Sequence, residues 1–341
     1  MKYLANVAYD VKVSERTFTI TPSFSGPGRR LLDRSEIMKE NRKKKNDGEL
    51  SDTSKRKIKK LFDIWSSSLN AYNEENSLQS SISRRKFVFF TLTLSGKQAH
   101  TDIELKRSLL NPFLISAKRS LGLERYFWKA EKQRNGNLHF HFITDIYIKK
   151  EKLQSTWNNV QNNAGYLENY KLMFGKTTAP STDIELVNEN QGIVTYMLKY
   201  VSKDNYPTDD MEFKPSGRIY GCSDNLKKLR MFTSRMDEEL IEVIESKSNS
   251  SDLLIFETDY VRVFYGNIKL LLHKNNIDYY TKIRKYYSDQ YYDLLSDTLD
   301  STVEYLVIKP ELSQSKEAVL ECSQLDLFSP EYQNNSLHFF A

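Results

Sequence analysis

The stretch that most constrains the fold runs from Arg125 to Phe142, where Asn135-Gly136 separates two segments of strand-like composition. Asn-Gly between alternating or aromatic-rich runs is the strongest short-range signal for a β-hairpin. The second arm, Leu138-His139-Phe140-His141-Phe142, alternates apolar and polar residues with the period of a half-buried strand, so both histidines point to one face. Two imidazoles at that spacing can share one metal ion. The turn decides which face the acid of the first arm joins. A two-residue Asn135-Gly136 turn sets Glu131 opposite Phe140, away from the imidazoles. A three-residue turn, Arg134-Asn135-Gly136 with Gly136 in the left-handed conformation, pairs Glu131 with His139 and Lys129 with His141. The second geometry is the expected one, with Gln133, on the same face as Glu131, as the fallback ligand.

About fifty residues later comes Thr195-Tyr196-Met197-Leu198-Lys199-Tyr200-Val201-Ser202-Lys203. Helical spacing puts Tyr196, Lys199, Tyr200 and Lys203 on one stripe, while Ile193, Val194, Met197, Leu198 and Val201 form an apolar one. Taken singly, neither feature compels a function. The chain has 21 tyrosines, and a solvent-facing histidine pair on a strand is ordinary. The conjunction carries the weight, with a lysine three residues after each tyrosine.

His-hydrophobic-His followed by Tyr-x-x-Lys-Tyr resembles the HUH endonuclease superfamily in its two-tyrosine branch of rolling-circle replication initiators. The phrase from Tyr196 to Lys203 is similar to that of the initiators of small single-stranded-DNA bacteriophages. The resemblance spans roughly residues 86–230, and Thr91-Leu92-Thr93 matches the family's first motif. It implies an α+β fold: a ferredoxin- or RRM-like antiparallel sheet of five strands whose central pair carries the metal ligands, helices on one face, and the tyrosine helix across the other. It also implies that His139, His141 and Glu131 hold Mg²⁺ or Mn²⁺, that Tyr196 and Tyr200 are the nucleophiles, and that Lys199 and Lys203 assist them. The implied reaction is site-specific nicking and joining of single-stranded origin DNA through a 5′-phosphotyrosine, leaving a 3′-hydroxyl primer. The alternatives are a transposase or plasmid initiator of the same chemistry, and a non-catalytic origin-binding protein.

Charge is consistent with a DNA partner. Residues 236–341 hold 9 Lys+Arg against 19 Asp+Glu, and residues 1–235 hold 41 against 26, so the first part is strongly basic and the last acidic. A basic domain suits a phosphate backbone, although solubility alone is served equally well. Two cysteines, Cys222 and Cys322, can build neither a disulfide framework nor a zinc site by themselves. No run of eighteen apolar residues occurs and the first residues lack a signal-peptide core, so a cytoplasmic protein in a bacterial host, without a membrane partner, is expected. Gly175-Lys176-Thr177 lacks the glycine five residues earlier that a phosphate-binding loop needs. A helicase would then act in trans.

The expected layout is a basic N-terminal extension with a helix (1–80), the endonuclease domain (81–235), an acidic tyrosine-rich segment (236–310) and a tail (311–341). In the first, Thr17–Thr21 reads as a strand, and a helix begins near Ser51 with Thr53 as cap and Ile58, Leu61, Phe62, Trp65, Leu69 and Tyr72 on one side. Lys86–Ser95 and Thr182–Val187 read as strands, Asp102–Leu121 as a helix that Pro112 kinks or divides, and the stretch after Lys150 as a short helix. Strands around Tyr260–Tyr265 and Lys269–His273 and a helix from Tyr279 to Leu295 follow. The doublets Tyr286-Tyr287 and Tyr291-Tyr292 rival Tyr196 and Tyr200 on count alone, but packing or base stacking explains them better. In the tail, Gln324-Leu325-Asp326-Leu327-Phe328 is similar to the peptide by which bacterial polymerases bind the sliding clamp, which would make the host clamp a partner.

Overall fold

A computed structural model describes residues 8–23, 48–77, 84–187, 214–236, 240, 254–257, 262–266, 269, 272 and 276–296. The class is α+β, with two five-stranded sheets in which every recorded strand pair is antiparallel. One sheet contains β1 (Tyr9–Val13) and β2 (Thr17–Pro22); the other begins with β3 (Val88–Leu92) and carries the histidines.

Between the sheets' apolar faces lies α1 (Asp52–Glu75). Its cap is Ser51, whose Oγ accepts from the Ser54 N–H at 3.2 Å, rather than the expected Thr53. Ile58, Phe62, Trp65, Leu69 and Tyr72 are buried as the periodicity predicts, but so are Ser66, Ser67 and Ser68. A helix clasped on several sides needs small residues where elements approach and partners for any hydroxyl it hides. Ser67 Oγ accordingly donates to Asp63 O and accepts from Glu15 N–H at 2.9 Å. Ring contacts Phe62–Phe127 and Trp65–Phe87, both with centroids 5.0 Å apart, fasten α1 to the histidine sheet.

Past β3 the chain enters α2 (Asp102–Leu105), opened by a capping box in which Thr101 and Glu104 satisfy each other's N–H groups. A π-helical turn (Lys106–Leu110) follows and runs into α3 (Asn111–Leu121). Pro112 therefore neither kinks nor divides this segment in the expected way. The Asn111 N–H bonds back five residues to Lys106 O, and the widened turn carries the helix across the proline, which has no N–H to offer. Gly122, at φ 65°, ends it.

Then come β4 (Tyr126–Lys132), β5 (Leu138–Thr144), α4 (Lys150–Asn163), α5 (Glu168–Phe174) and β6 (Thr182–Leu186). The chain continues through β7 (Tyr220–Cys222), α6 (Asp224–Lys228), β8 (Phe232–Arg235), β9 (Leu254–Glu257), β10 (Arg262–Tyr265) and α7 (Ile277–Ser296). The histidine sheet has the order β6-β3-β5-β4-β7, so β5 is central; the other has the order β8-β1-β2-β10-β9. Its strands come from both sides of the histidine sheet in sequence, with Ile20 opposite Arg262 and Val13 opposite Phe232. Of the strand expected over Lys269–His273, the described residues Lys269 and Leu272 are helical instead.

One face of the histidine sheet is the expected helix-covered layer, where Phe90, Leu92, Trp128, Phe140 and Phe142 pack with Leu109, Phe113 and Trp157. The opposite face is divided. Phe89, Phe127 and Ile143 at one end share a core with α1, and the histidines stand at the other end. Among the described residues no helix is long and apolar enough to cross a membrane.

Candidate functional site

The hairpin has the three-residue geometry. Lys129 lies opposite His141 and Glu131 opposite His139. Gly136 sits at φ 80°, its N–H donates to Gln133 O at 2.8 Å, and Gln133 N–H donates to Asn137 O at 2.8 Å. A Cβ at Gly136 would touch nothing within 4 Å, so its backbone conformation, not space, favours glycine there. This turn puts Glu131, His139 and His141 on one face; a slip of one residue would bury the imidazoles among phenylalanines.

The residues hold one another in a chain. Lys129 Nζ meets Glu131 Oε1 at 2.8 Å, and Glu131 Oε2 lies 3.1 Å from His141 Nε2. His141 stacks on Phe89 and stands edge-on to His139, with ring centroids 4.5 Å apart. Thr93 Oγ1 lies 2.9 Å from His139 Nδ1 and orients that ring, leaving Nε2 as the nitrogen with no hydrogen bond among the described residues. Thr91, opposite His141, completes the hydroxyl pair of the first motif.

Burial, followed by the neighbouring His141 charge, pushes the His139 pKa down to about 3, so the ring is neutral at physiological pH and offers a lone pair. Burial would raise Glu131, but the hydrogen bond and charge of His141, then Lys129, outweigh it and hold the carboxyl at about 2. The cluster thus presents an ionised carboxylate beside a neutral imidazole.

Whether these donors suit a divalent cation can be judged from geometry. The 3.1 Å between His141 Nε2 and Glu131 Oε2 is that of two adjacent ligands on an octahedral ion with bonds of about 2.1 Å. Carboxylate oxygen suits Mg²⁺ or Mn²⁺, and imidazole nitrogen shifts the preference toward the transition ion. Among the described residues no three His, Cys, Asp or Glu side chains already enclose an ion. Glu131 divides its oxygens between Lys129 and His141, so closing on a cation requires it to give up the histidine bond. In donor type and in one pair distance, the residues fit the ion.

Tyr196, Tyr200, Lys199 and Lys203 lie outside the described residues, as do Cys322 and the peptide Gln324, Leu325, Asp326, Leu327 and Phe328. The rival tyrosines are described, and two are core residues. The Tyr287 hydroxyl donates to Val13 O and accepts from Phe232 N–H, Tyr291 donates to Asp145 Oδ2 at 2.7 Å, and burial raises both phenols above their ordinary range. Such phenols are poor nucleophiles. Gln133, the fallback ligand, sits in the turn and makes its backbone bonds. Lys129 is the residue that sequence reasoning placed but gave no role. Its period-2 spacing from Glu131 was the available signal.

Residues 87–205 match the family model of replication-associated proteins of the ORF2 type, and this match supports a replication initiator. Among curated proteins the chain is similar to merozoite surface protein 1 of Plasmodium falciparum, from isolate K1 / Thailand and from isolate Wellcome, each 29% identical over 182 residues covering 45% of this chain and 11% of the other. The chain thus spans about a tenth of the length of those surface proteins, and a likeness of that extent supports no activity here. No solved structure matches significantly.

Proposed function

We propose, from the premise that the chain is a replication initiator, that it nicks and rejoins single-stranded origin DNA at the face carrying Glu131, His139 and His141. The observation that carries this reading is the hairpin register, which sets two imidazoles and one carboxylate side by side. A second support is connectivity: the segment bearing Tyr196 and Tyr200 joins β6 to β7, the two edge strands of that sheet.

In the proposed reaction a tyrosine Oη attacks the scissile phosphorus and the bond to the 3′ oxygen breaks. The phenol proton leaves to a base or solvent, the 3′ oxygen acquires a proton, and the strand's 5′ phosphate stays on the tyrosine. The reverse attack by a 3′-hydroxyl rejoins DNA. A bound Mg²⁺ or Mn²⁺ supplies Lewis-acid polarisation of the phosphate. His139 offers its lone pair because it is neutral, Thr93 fixes its ring, and Lys129 holds one Glu131 oxygen. An unperturbed tyrosine ionises near pH ~10, so Lys199 and Lys203 serve to favour the phenolate. Two tyrosines one helical turn apart allow a second cleavage while the first remains loaded. The tail peptide Gln324–Phe328 would dock the host sliding clamp, with a host helicase acting in trans.

The test is incubation with single-stranded oligonucleotides and Mn²⁺, followed by mass spectrometry of the tyrosine peptide. Tyr196→Phe with Tyr200→Phe should abolish the adduct, while either single change leaves partial nicking but blocks complete strand transfer. An adduct that persists in the double variant removes the proposal, and a non-catalytic origin binder gives no adduct in any form.

A further inference from the structure

On the helix-covered side of the histidine sheet, away from the imidazoles, a groove of about 510 Å³ opens between the π-helical turn and the edge strand β7. Alternation along β4 turns Tyr126 and Trp128 to this side and Lys129 and Glu131 to the other. Those two aromatic residues line the groove together with Lys106, Arg107, Arg218 and Lys227. The acid lining it, Asp224, already binds Lys227 at 2.5 Å, which leaves three cations. Arg107 and Arg218 are exposed, and Lys106 is buried with Nζ 2.6 Å from Ser216 O.

The walls are built closely. Asp102 accepts from Ser216 N–H at 2.9 Å and pairs with Lys132 at 2.8 Å, which ties the strand leading into β7 against α2. Gly217, at φ 72°, has Ile103 Cγ1 3.0 Å from where a Cβ would stand, and a Cβ on Gly221 would lie 2.7 Å from the Trp128 indole nitrogen. Only glycine lets the backbone lie that close to the ring. The volume falls within the range of about 300–1,000 Å³ typical of small-ligand sites. Aromatic groups below cations are the chemistry that holds a base and its phosphate without reading sequence.

We propose that this groove is a second DNA site that takes a nucleotide of the single strand outside the nick, its phosphate on Arg107 and Arg218 and its base against Tyr126 and Trp128. The proposal rests on the single-strand reading above. β7 is only three residues long and pairs with β4, with Tyr220 opposite Lys129 on the histidine side. A strand passing over that edge reaches both faces.

The experiment is fluorescence anisotropy of the full chain with a labelled single-stranded oligonucleotide that has no nick site, in EDTA, over a series of salt concentrations. Arg107→Ala with Arg218→Ala should weaken binding about tenfold at low salt and flatten the log K against log salt slope by about 1.4, the release expected for two single-strand phosphates. Arg107→Lys with Arg218→Lys should keep the slope, which separates charge from misfolding. Tyr126→Leu should weaken binding about fivefold. An unchanged affinity and slope in the double alanine variant overturns the proposal, and so does displacement of the oligonucleotide by free dATP as readily as by unlabelled strand. Because only binding in EDTA is read, a failure of nicking leaves this outcome intact; a wild-type chain that binds no single strand overturns both readings.

Discussion

Two charged clusters on the β4–β5 hairpin use the same kinds of residue to opposite ends. At the α1 end, Arg125 and Asp145 are wholly buried, and Asp145 accepts from Arg125 Nε at both oxygens, from Trp65 Nε1 at 3.0 Å and from Tyr291 at 2.7 Å. Four acceptances use the capacity of a carboxylate. At the other end Glu131 is 25% exposed and accepts from Lys129 and His141 alone among the described residues. Half its capacity is open, beside an imidazole that burial keeps neutral. A carboxylate saturated by its own protein fastens elements together; one left half-used next to a lone pair is available to something that arrives later.

The comparison breaks most readily at Asp145. Asp145→Ala strands the buried guanidinium, and the expected loss is about 3–5 kcal/mol, read as a lower urea midpoint. A loss below about 1 kcal/mol would mean that the cluster is not the fastening described. His139→Ala should do the reverse, lowering metal-dependent nicking by about 100-fold while the urea midpoint stays near wild type and oligonucleotide affinity is kept, since phosphate contacts come mainly from Lys and Arg. EDTA should match that loss, and nicking untouched by EDTA would exclude the cation.

Acid sharpens the contrast further. The His139 pKa falls from an ordinary 6.5 to about 3, so between those values the unfolded chain binds a proton that the folded site refuses, and stability declines as pH drops. Glu131, lowered from 4.5 to about 2, contributes stability that is present above pH 4.5 and lost as pH falls toward 2. The two windows run the same way. Urea midpoints at pH 7, 5.5 and 4.5 should fall for wild type and fall less for His139→Gln; parallel curves would show that His139 is not buried as described. The smallest expected effect is at the turn. Gly136→Ala must hold a Cβ in the left-handed region, at a cost of about 1 kcal/mol, with a partial loss of nicking as the register loosens. Full nicking with unchanged stability would mean that the turn does not set the register.

Local signals made the hairpin legible. Asn135-Gly136, the alternation of Leu138–Phe142 and the requirement that Glu131 share a face with His139 led to one register, and that register is present. The helix over Tyr279–Leu295 was readable from its tyrosines and leucines and forms α7. What escaped was non-local. β1 has a partner in β8 that no nearby residue announces, and Arg125 and Asp145, twenty positions apart, meet Trp65 and Tyr291 from two distant helices. The cap of α1 moved from Thr53 to Ser51 because boundaries depend on one hydroxyl's reach. The π-helical turn before Pro112 was missed because proline states which bond is absent, not how the backbone will make up for it.

The pairing of β2 with β10 sets Ile20 against Arg262, 242 positions later. At a synthesis rate of about 5–20 residues per second, the emerging chain waits roughly 12–50 seconds before that rung can close. Meanwhile every strand of the histidine sheet, all between Val88 and Cys222, has already been made. On the ribosome, the catalytic hairpin can take shape early while β2 and the half-wrapped α1 keep an apolar side uncovered until the final segment arrives. A release of nascent chains stalled near residue 235 would therefore yield a sheet with the right site on an unfinished body, prone to pairing its bare strand edges with a neighbour's.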